Sequence, residues 1–179
     1  MSRHLRPRSL RGGGLVLTIL TLIPFAMAST VAAADSPQAQ LAEVRAATAR
    51  YHDLDAALAD GYIQVSPCVE QAGLGGMGYH FLNPALLDSV IDPLQPEFLV
   101  YAPKPNGVLR LVAVEYMLID ADQDLATDSD RPALFGGAFD GPMPGHGPGQ
   151  PVHYDLHAWV WEPNPAGMLA PWNARVDCP

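Results

Sequence analysis

The sequence predicts an α+β domain: one N-terminal amphipathic helix packed on a small, mainly antiparallel sheet, with long ordered loops and one disulfide. Three observations predict it. Apolar residues recur every three or four positions between Leu41 and Leu58, the apolar period falls to two from Phe98 onward, and two cysteines follow what reads as an export signal.

That signal comes first along the chain. Arg3, Arg6, Arg8 and Arg11 form a positive head with no acidic residue before Asp35, Leu15 to Ala28 is almost wholly apolar, and Ala32-Ala33-Ala34 supplies small exit residues. These are the three parts of a secretory signal peptide over residues 1–34, with cleavage after Ala34, and they predict a secreted or periplasmic protein. The absence of a following Cys argues against a lipoprotein, and no other stretch is long and apolar enough to span a membrane. Residues 35–179 then form the working chain, a single α+β domain by length. Cleavage removes four of the 10 Lys/Arg and none of the 19 Asp/Glu, so the formal charge moves from −9 to −13. Such a chain has no electrostatic reason to bind nucleic acid or anionic lipid, whereas it attracts cations. Acidity also keeps an exported protein soluble, which is the plainer reason for it.

Cys68 and Cys178 are an even pair in an oxidising compartment, and pair most simply as one disulfide. A closed loop of about 100 residues stabilises by roughly 4–5 kcal/mol in the chain-entropy account. No CxxC spacing supports the rival reading, a metal-bound thiolate pair.

Ser36-Pro37 carries helix-start chemistry, a capping hydroxyl followed by proline at the first helical position. Leu41, Val44, Ala47, Tyr51, Leu54 and Leu58 form the apolar stripe, Asp60-Gly61 ends it, and His52 lies beside it on the surface. Residues 62–97 read as irregular. Gly73, Gly75, Gly76 and Gly78 mark backbone that turns or is closely approached, and the segment has neither the ending nor the setting of a phosphate loop. Leu86 to Val90 reads as a short helical turn. Phe98 to Ala102 is a strand, Lys104 to Gly107 (KPNG) a turn, and Val108 to Ile119 a second strand. Val152 to Trp161 is a third, rich in aromatic and β-branched residues. The connection over 120–151, full of Asp, Gly and Pro, has the length of a functional or mobile loop.

On the second strand, alternation places Glu115 on one face with Leu109, Leu111, Ala113, Met117 and Ile119. A carboxylate in an apolar row needs a partner, either a cation such as Arg110 or Arg175 or a metal ion. The third strand sets His153, Asp155 and His157 on one face, opposite Tyr154, Leu156 and Ala158. His153 and His157 stand about 13 Å apart on a regular strand, so both cannot ligate one ion. Either Asp155 orients one imidazole from behind, or the strand bends near Pro151 to bring His153 inward. His80 and His146 belong to loops that fold over the sheet towards Glu115. The candidate metal ligands are therefore His80, Glu115, His153 and His157, with Asp155 and His146 behind them. Such a set suits Zn, Cu, Fe or Mn. Catalytic residues are not identified: Ser66 and Ser89 show no local activation, and no nucleophile elbow occurs.

Asp120, Asp122, Asp124, Asp128 and Asp130 resemble the start of a calcium loop. Leu125 stands where an EF-hand needs glycine, and Arg131 where it needs glutamate. A solvated acidic loop is the preferred reading and an irregular, weak Ca²⁺ site the alternative.

The segments GMGYHFLNP (76–84), VEY (114–116), DRPALFG (130–136), FDGPMPGH (139–146), HYDLHAWVWEPNPAG (153–167) and WNARVDC (172–178) resemble a family of small secreted bacterial proteins of uncharacterised function. The resemblance spans most of residues 35–179 and implies a single exported domain, with no activity attached. Two functional readings follow. One is a metal-binding domain. The other is a non-catalytic small-ligand or protein-binding module, with Tyr79, Tyr154, Trp159 and Trp161 lining a recess and the His-Asp-His strand serving a hydrogen-bond network.

Overall fold

The computed structural model describes residues 36–179 apart from 148. The signal-peptide reading of residues 1–34 lies outside the described residues.

The chain opens with α1 (Pro37–Thr48), continues as a 3₁₀ turn (Ala49–His52), and breaks before α2 (Leu54–Ala59). Ser36 Oγ accepts from Ala39 N at 3.2 Å and Pro37 opens the helix, as the sequence predicts. The single long helix is not formed. Asp53 adopts an extended conformation (φ −89°, ψ 109°) and caps a new helix by accepting from Asp55 N at 3.1 Å. Asp gains more from this cap than from continuing the helix. The stripe holds through Leu54 and fails at its end: Leu41, Val44, Tyr51 and Leu54 join the core, whereas Leu58 is exposed.

One seven-stranded antiparallel sheet carries the fold. Its strands are β1 (Ile63–Gln64), β2 (Val69–Gln71), β3 (Gly75–Leu82), β4 (Phe98–Pro103), β5 (Leu109–Ile119), β8 (Asp140–Met143) and β9 (His153–Ala158). The order is β1-β3-β4-β5-β9-β8, with β2 also on β3. Two short strands, β6 (Ala133–Leu134) and β7 (Gly137–Ala138), pair separately. With α1, α2 and the Cys68–Cys178 disulfide, whose Cα atoms are 5.6 Å apart, this is the α+β architecture expected. No helix of the described residues is long and apolar enough to cross a membrane.

Residues 62–97 are irregular only in part: β1, β2 and β3 form within 63–82, the glycine-rich run being the inner strand β3, and only 83–97 lacks strands. Gly73 (φ +83°) turns the chain between β2 and β3, whereas Gly75, Gly76 and Gly78 serve close approach. A Cβ on Gly76 would fall 2.9 Å from Val176 O, and one on Gly78 (φ +112°) only 2.4 Å from Tyr101 O. The C-terminal segment lies against this bare backbone. Gly76 N donates to Val176 O at 2.8 Å, and Asn173 N to Gly76 O at 3.0 Å. The helical turn expected over 86–90 instead spans Pro84–Leu86, where Asn83 Oδ1 accepts from Ala85 N at 3.1 Å.

The sheet is covered on both faces. On one, Leu99, Leu111, Val114, Tyr116, Tyr154 and Leu156 pack with Leu41 and Val44 of α1. Val100, Ala102, Val112, Ala113 and Trp159 form the second core with Val176. A β-bulge corrects the alternation read for β5. The register shifts between Val100 and Tyr101, so Val112 and Ala113 both serve the second core. Leu109 and Leu111 therefore share a face with Val114 and Tyr116, not with Glu115. Within the 120–151 connection, Phe135 and Phe139 enter the first core, and β8 extends the sheet beyond β9.

Candidate metal centre

Register assembles the centre. Glu115 on β5 lies directly across from His157 on β9, so both side chains leave the same face of the sheet. His80 comes from β3, two strands from β5, on the row of Val100 and Ala113. Its ring reaches over β4 beside Phe98, with centroids 6.3 Å apart. It is a strand, not a loop, that delivers this imidazole.

The three polar ends meet. His80 Nε2 lies 3.4 Å from Glu115 Oε2 and 3.4 Å from His157 Nε2, and His157 Nε2 lies 3.8 Å from Glu115 Oε2. Among the described residues this is the one group of three whose ligand atoms converge. It is almost sealed from solvent, with His80 8%, Glu115 6% and His157 1% exposed.

A backbone gap fixes the tautomer of His80. Between β1 and β2 the pairing to β3 lapses, and there Ser66 Oγ accepts from His80 N at 3.0 Å in place of a carbonyl. The same hydroxyl donates to Pro67 O at 2.8 Å and lies 3.0 Å from His80 Nδ1. Its proton being spent on Pro67, Ser66 Oγ accepts from Nδ1–H, and the lone pair of His80 sits on Nε2 facing Glu115 and His157. Ser66 thus orients the imidazole, a role its sequence context did not signal.

The electrostatics leave the group unsettled. Burial pushes the Glu115 carboxyl well above the usual carboxylate range, with Asp155 and Glu97 adding to the shift. Burial also lowers His80 to about 4, helped by His146, and His157 to about 3, helped by His80 and His146. Glu115 Oε2 and His157 Nδ1 are buried without a hydrogen-bond partner among the described residues. Arg110, one cation considered for Glu115, pairs instead with Glu162.

Other sequence candidates fall elsewhere. His153 is not part of the convergent group: its ring packs against exposed His146 at 5.1 Å, and its Nδ1 lies 3.1 Å from Pro151 O. The strand does not bend it inward because β9 stays in register with β5 from Ala158 to His153. His146 is not part of the convergent group either. Asp155 is buried and raised to about 7 by desolvation and Asp140, and no hydrogen bond joins it to His153 or His157 among the described residues. The aromatic recess does not form. Tyr154 packs in the first core and Trp159 in the second, on opposite faces, and Trp159 Nε1 donates to Ala170 O at 2.6 Å. Glu97 was missed: it is 2% exposed, accepts from Met117 N at 3.2 Å and is pushed up to about 7 by burial. Compared with known proteins, the chain matches no family model, no curated protein and no solved structure.

Proposed function

We propose that this is an exported metal-binding protein in which His80 Nε2, His157 Nε2 and Glu115 Oε2 hold one zinc ion. The observation that carries the reading is the orphaned Glu115 oxygen facing two imidazole nitrogens at 3.4 and 3.8 Å. A buried acceptor without a donor is costly, and a cation removes the cost while using the lone pair that Ser66 directs inward.

The spacing fits a tetrahedral ion such as zinc better than an octahedral one. A tetrahedral ion with bonds of about 2.0–2.1 Å holds its ligand atoms about 3.3–3.4 Å apart, whereas an octahedral facial set draws them to about 3.0 Å. Atoms 3.4, 3.4 and 3.8 Å apart share a centre about 2 Å from each. Two histidines and a glutamate leave a fourth position for water or a small ligand, the pattern of reactive rather than purely structural zinc sites. The Cys68–Cys178 disulfide supports export, because such bonds persist in oxidising compartments.

The second reading is a metal-free hydrogen-bond network, with His157 Nε2–H donating to His80 Nε2 at 3.4 Å. It leaves both Glu115 Oε2 and His157 Nδ1 without partners, whereas zinc leaves only His157 Nδ1. Metal analysis separates the two. Protein stripped with a chelator and dialysed against Zn, Cu, Fe(II) and Mn in turn retains one equivalent of zinc, and His157→Ala retains none. Retention of none of the four by the unaltered chain favours the network.

A further inference from the structure

The disulfide and the metal centre meet along one edge of the sheet. Ser66 Oγ, 3.0 Å from both His80 N and His80 Nδ1, precedes Cys68 by two positions. No residue over 63–71 is fully buried, so core packing does not fix this stretch. Val65 N donates to His80 O at 2.9 Å on one side of Ser66, and β2 resumes the pairing on the other. β2 is a weak clamp. Its partners on β3 are Gly78, Gly76 and Gly75, which offer no side chain across the ladder, and its register slips between Val69 and Glu70.

Across the disulfide the chain is rooted. Val176 is buried in the second core, and Asn173 is buried beside β3. Both are tied to that strand: Gly76 N donates to Val176 O at 2.8 Å, and Asn173 N to Gly76 O at 3.0 Å. Cys178 follows Val176 by two residues, and its N donates to Glu70 Oε2 at 3.4 Å. The Cys68–Cys178 bond therefore joins a segment without a core to one anchored in it, and Ser66 stands on the loose side. Both cysteines are half-buried rather than sealed, so a thiolate can reach the bond.

We infer that this disulfide sets the metal affinity of the His80–Glu115–His157 centre through Ser66, and that a thiol reductant weakens it. The inference rests on the metal-binding reading of that centre. Reduction passes two electrons and two protons to the protein. Two reductant thiols act in turn through a mixed disulfide and leave as their own disulfide, while Cys68 and Cys178 become thiols. The edge segment then keeps only Val65 N and the glycine-partnered β2, and Ser66 is no longer held against His80. His80 Nδ1–H loses its acceptor and the Nε2 lone pair its fixed direction, which lowers the affinity of a metal site. Ser66 is the positioning residue, and the disulfide acts through it. Such a chain holds its ion in an oxidising medium and yields it in a reducing one.

Zinc affinity of the full chain, read by competition with a chelating dye, tests the linkage. Cys68→Ser combined with Cys178→Ser mimics reduction without adding thiolates that compete for zinc. It should bind zinc about tenfold more weakly than the oxidised chain. Loss of a native disulfide can unfold a small domain, so a second variant keeps the bond. Two glycines inserted after Asp177 slacken the tether by up to about 7 Å and should also weaken zinc by about tenfold. Ser66→Ala, added to either variant, should then cost little more, because both changes remove the same contact. Undiminished affinity in the glycine-lengthened chain or in a folded serine variant overturns the linkage and leaves the centre standing. So does a full Ser66→Ala loss on top of either variant. An oxidised, unaltered chain that binds no zinc overturns the metal reading, and this inference with it.

Discussion

Replacing Glu115 with glutamine separates a metal ligand from a structural carboxylate. In the metal-free chain, burial, with Asp155 and Glu97 adding to it, pushes the Glu115 carboxyl well above the usual carboxylate range, toward its neutral form. Glutamine has its shape and is neutral, so metal-free Glu115→Gln should match the unaltered protein to within about 1 kcal/mol. Zinc changes the comparison, because it binds the carboxylate. At a hundredfold excess over Kd, zinc stabilises the folded state by about 2.7 kcal/mol. For a domain of this size that raises Tm by about 5–10 °C. Glutamine, a poor zinc ligand, should lose most of this gain. The sign with pH follows from the raised carboxyl: its neutral form stabilises below the unfolded value and ceases to as pH climbs through the folded one. Zinc must displace that proton, so the zinc-induced shift should grow as pH rises. Thermal unfolding followed by near-ultraviolet circular dichroism, with chelator and with zinc, reads each quantity. An equal zinc shift in Glu115→Gln refutes the ligand role. A metal-free loss of several kcal/mol would show instead that an ionised Glu115 is a structural anchor.

Other parts of the structure make independent predictions. Ser66→Ala removes the acceptor for His80 Nδ1–H and should weaken zinc binding by about 10–100-fold in competition with a chelating dye; unchanged affinity would remove Ser66 from the centre. Gly78→Ala combines a φ of +112° with a Cβ 2.4 Å from Tyr101 O and should cost at least about 2 kcal/mol in urea unfolding; a neutral result would mean that β3 and β4 can separate there. Glu97, raised to about 7, favours its neutral form in the folded chain, so its contribution is complete below the unfolded value of 4.5 and lost as pH rises through about 7. Glu97→Gln should therefore gain up to about 3 kcal/mol over the unaltered chain at pH 8 and little at pH 4.5; an equal difference at both would refute the assignment.

The pattern of what the sequence disclosed has physical causes. Ser36-Pro37, the KPNG turn and the strand character of 98–102, 108–119 and 152–161 are local signals; the first two survive in the structure, and all three strands form, the last ending at Ala158. Strict alternation on β9 correctly separated His157 from Tyr154 and Leu156. On β5 it failed at Val112, because a bulge is a property of two paired strands rather than of one. Glycine hid β3: it reads as a breaker, and its reason here is the C-terminal backbone crossing at Gly76, about 100 residues away in sequence. His80 and Glu115 were nameable as residues that needed partners, but their meeting depends on strand order, which composition does not encode. His153 looked equivalent to His157 along the strand, and only the lateral position of β3 distinguishes them. Ser66 and Glu97 gave no signal, since an orienting hydroxyl and a buried carboxylate are recognisable only by what surrounds them.

Diffraction data collected at the zinc absorption edge, from crystals grown with one equivalent of zinc, test the central claim most directly. The account predicts one strong anomalous peak about 2 Å from His80 Nε2, His157 Nε2 and Glu115 Oε2. No peak at that point, or a peak held by His146 and His153 instead, would contradict it.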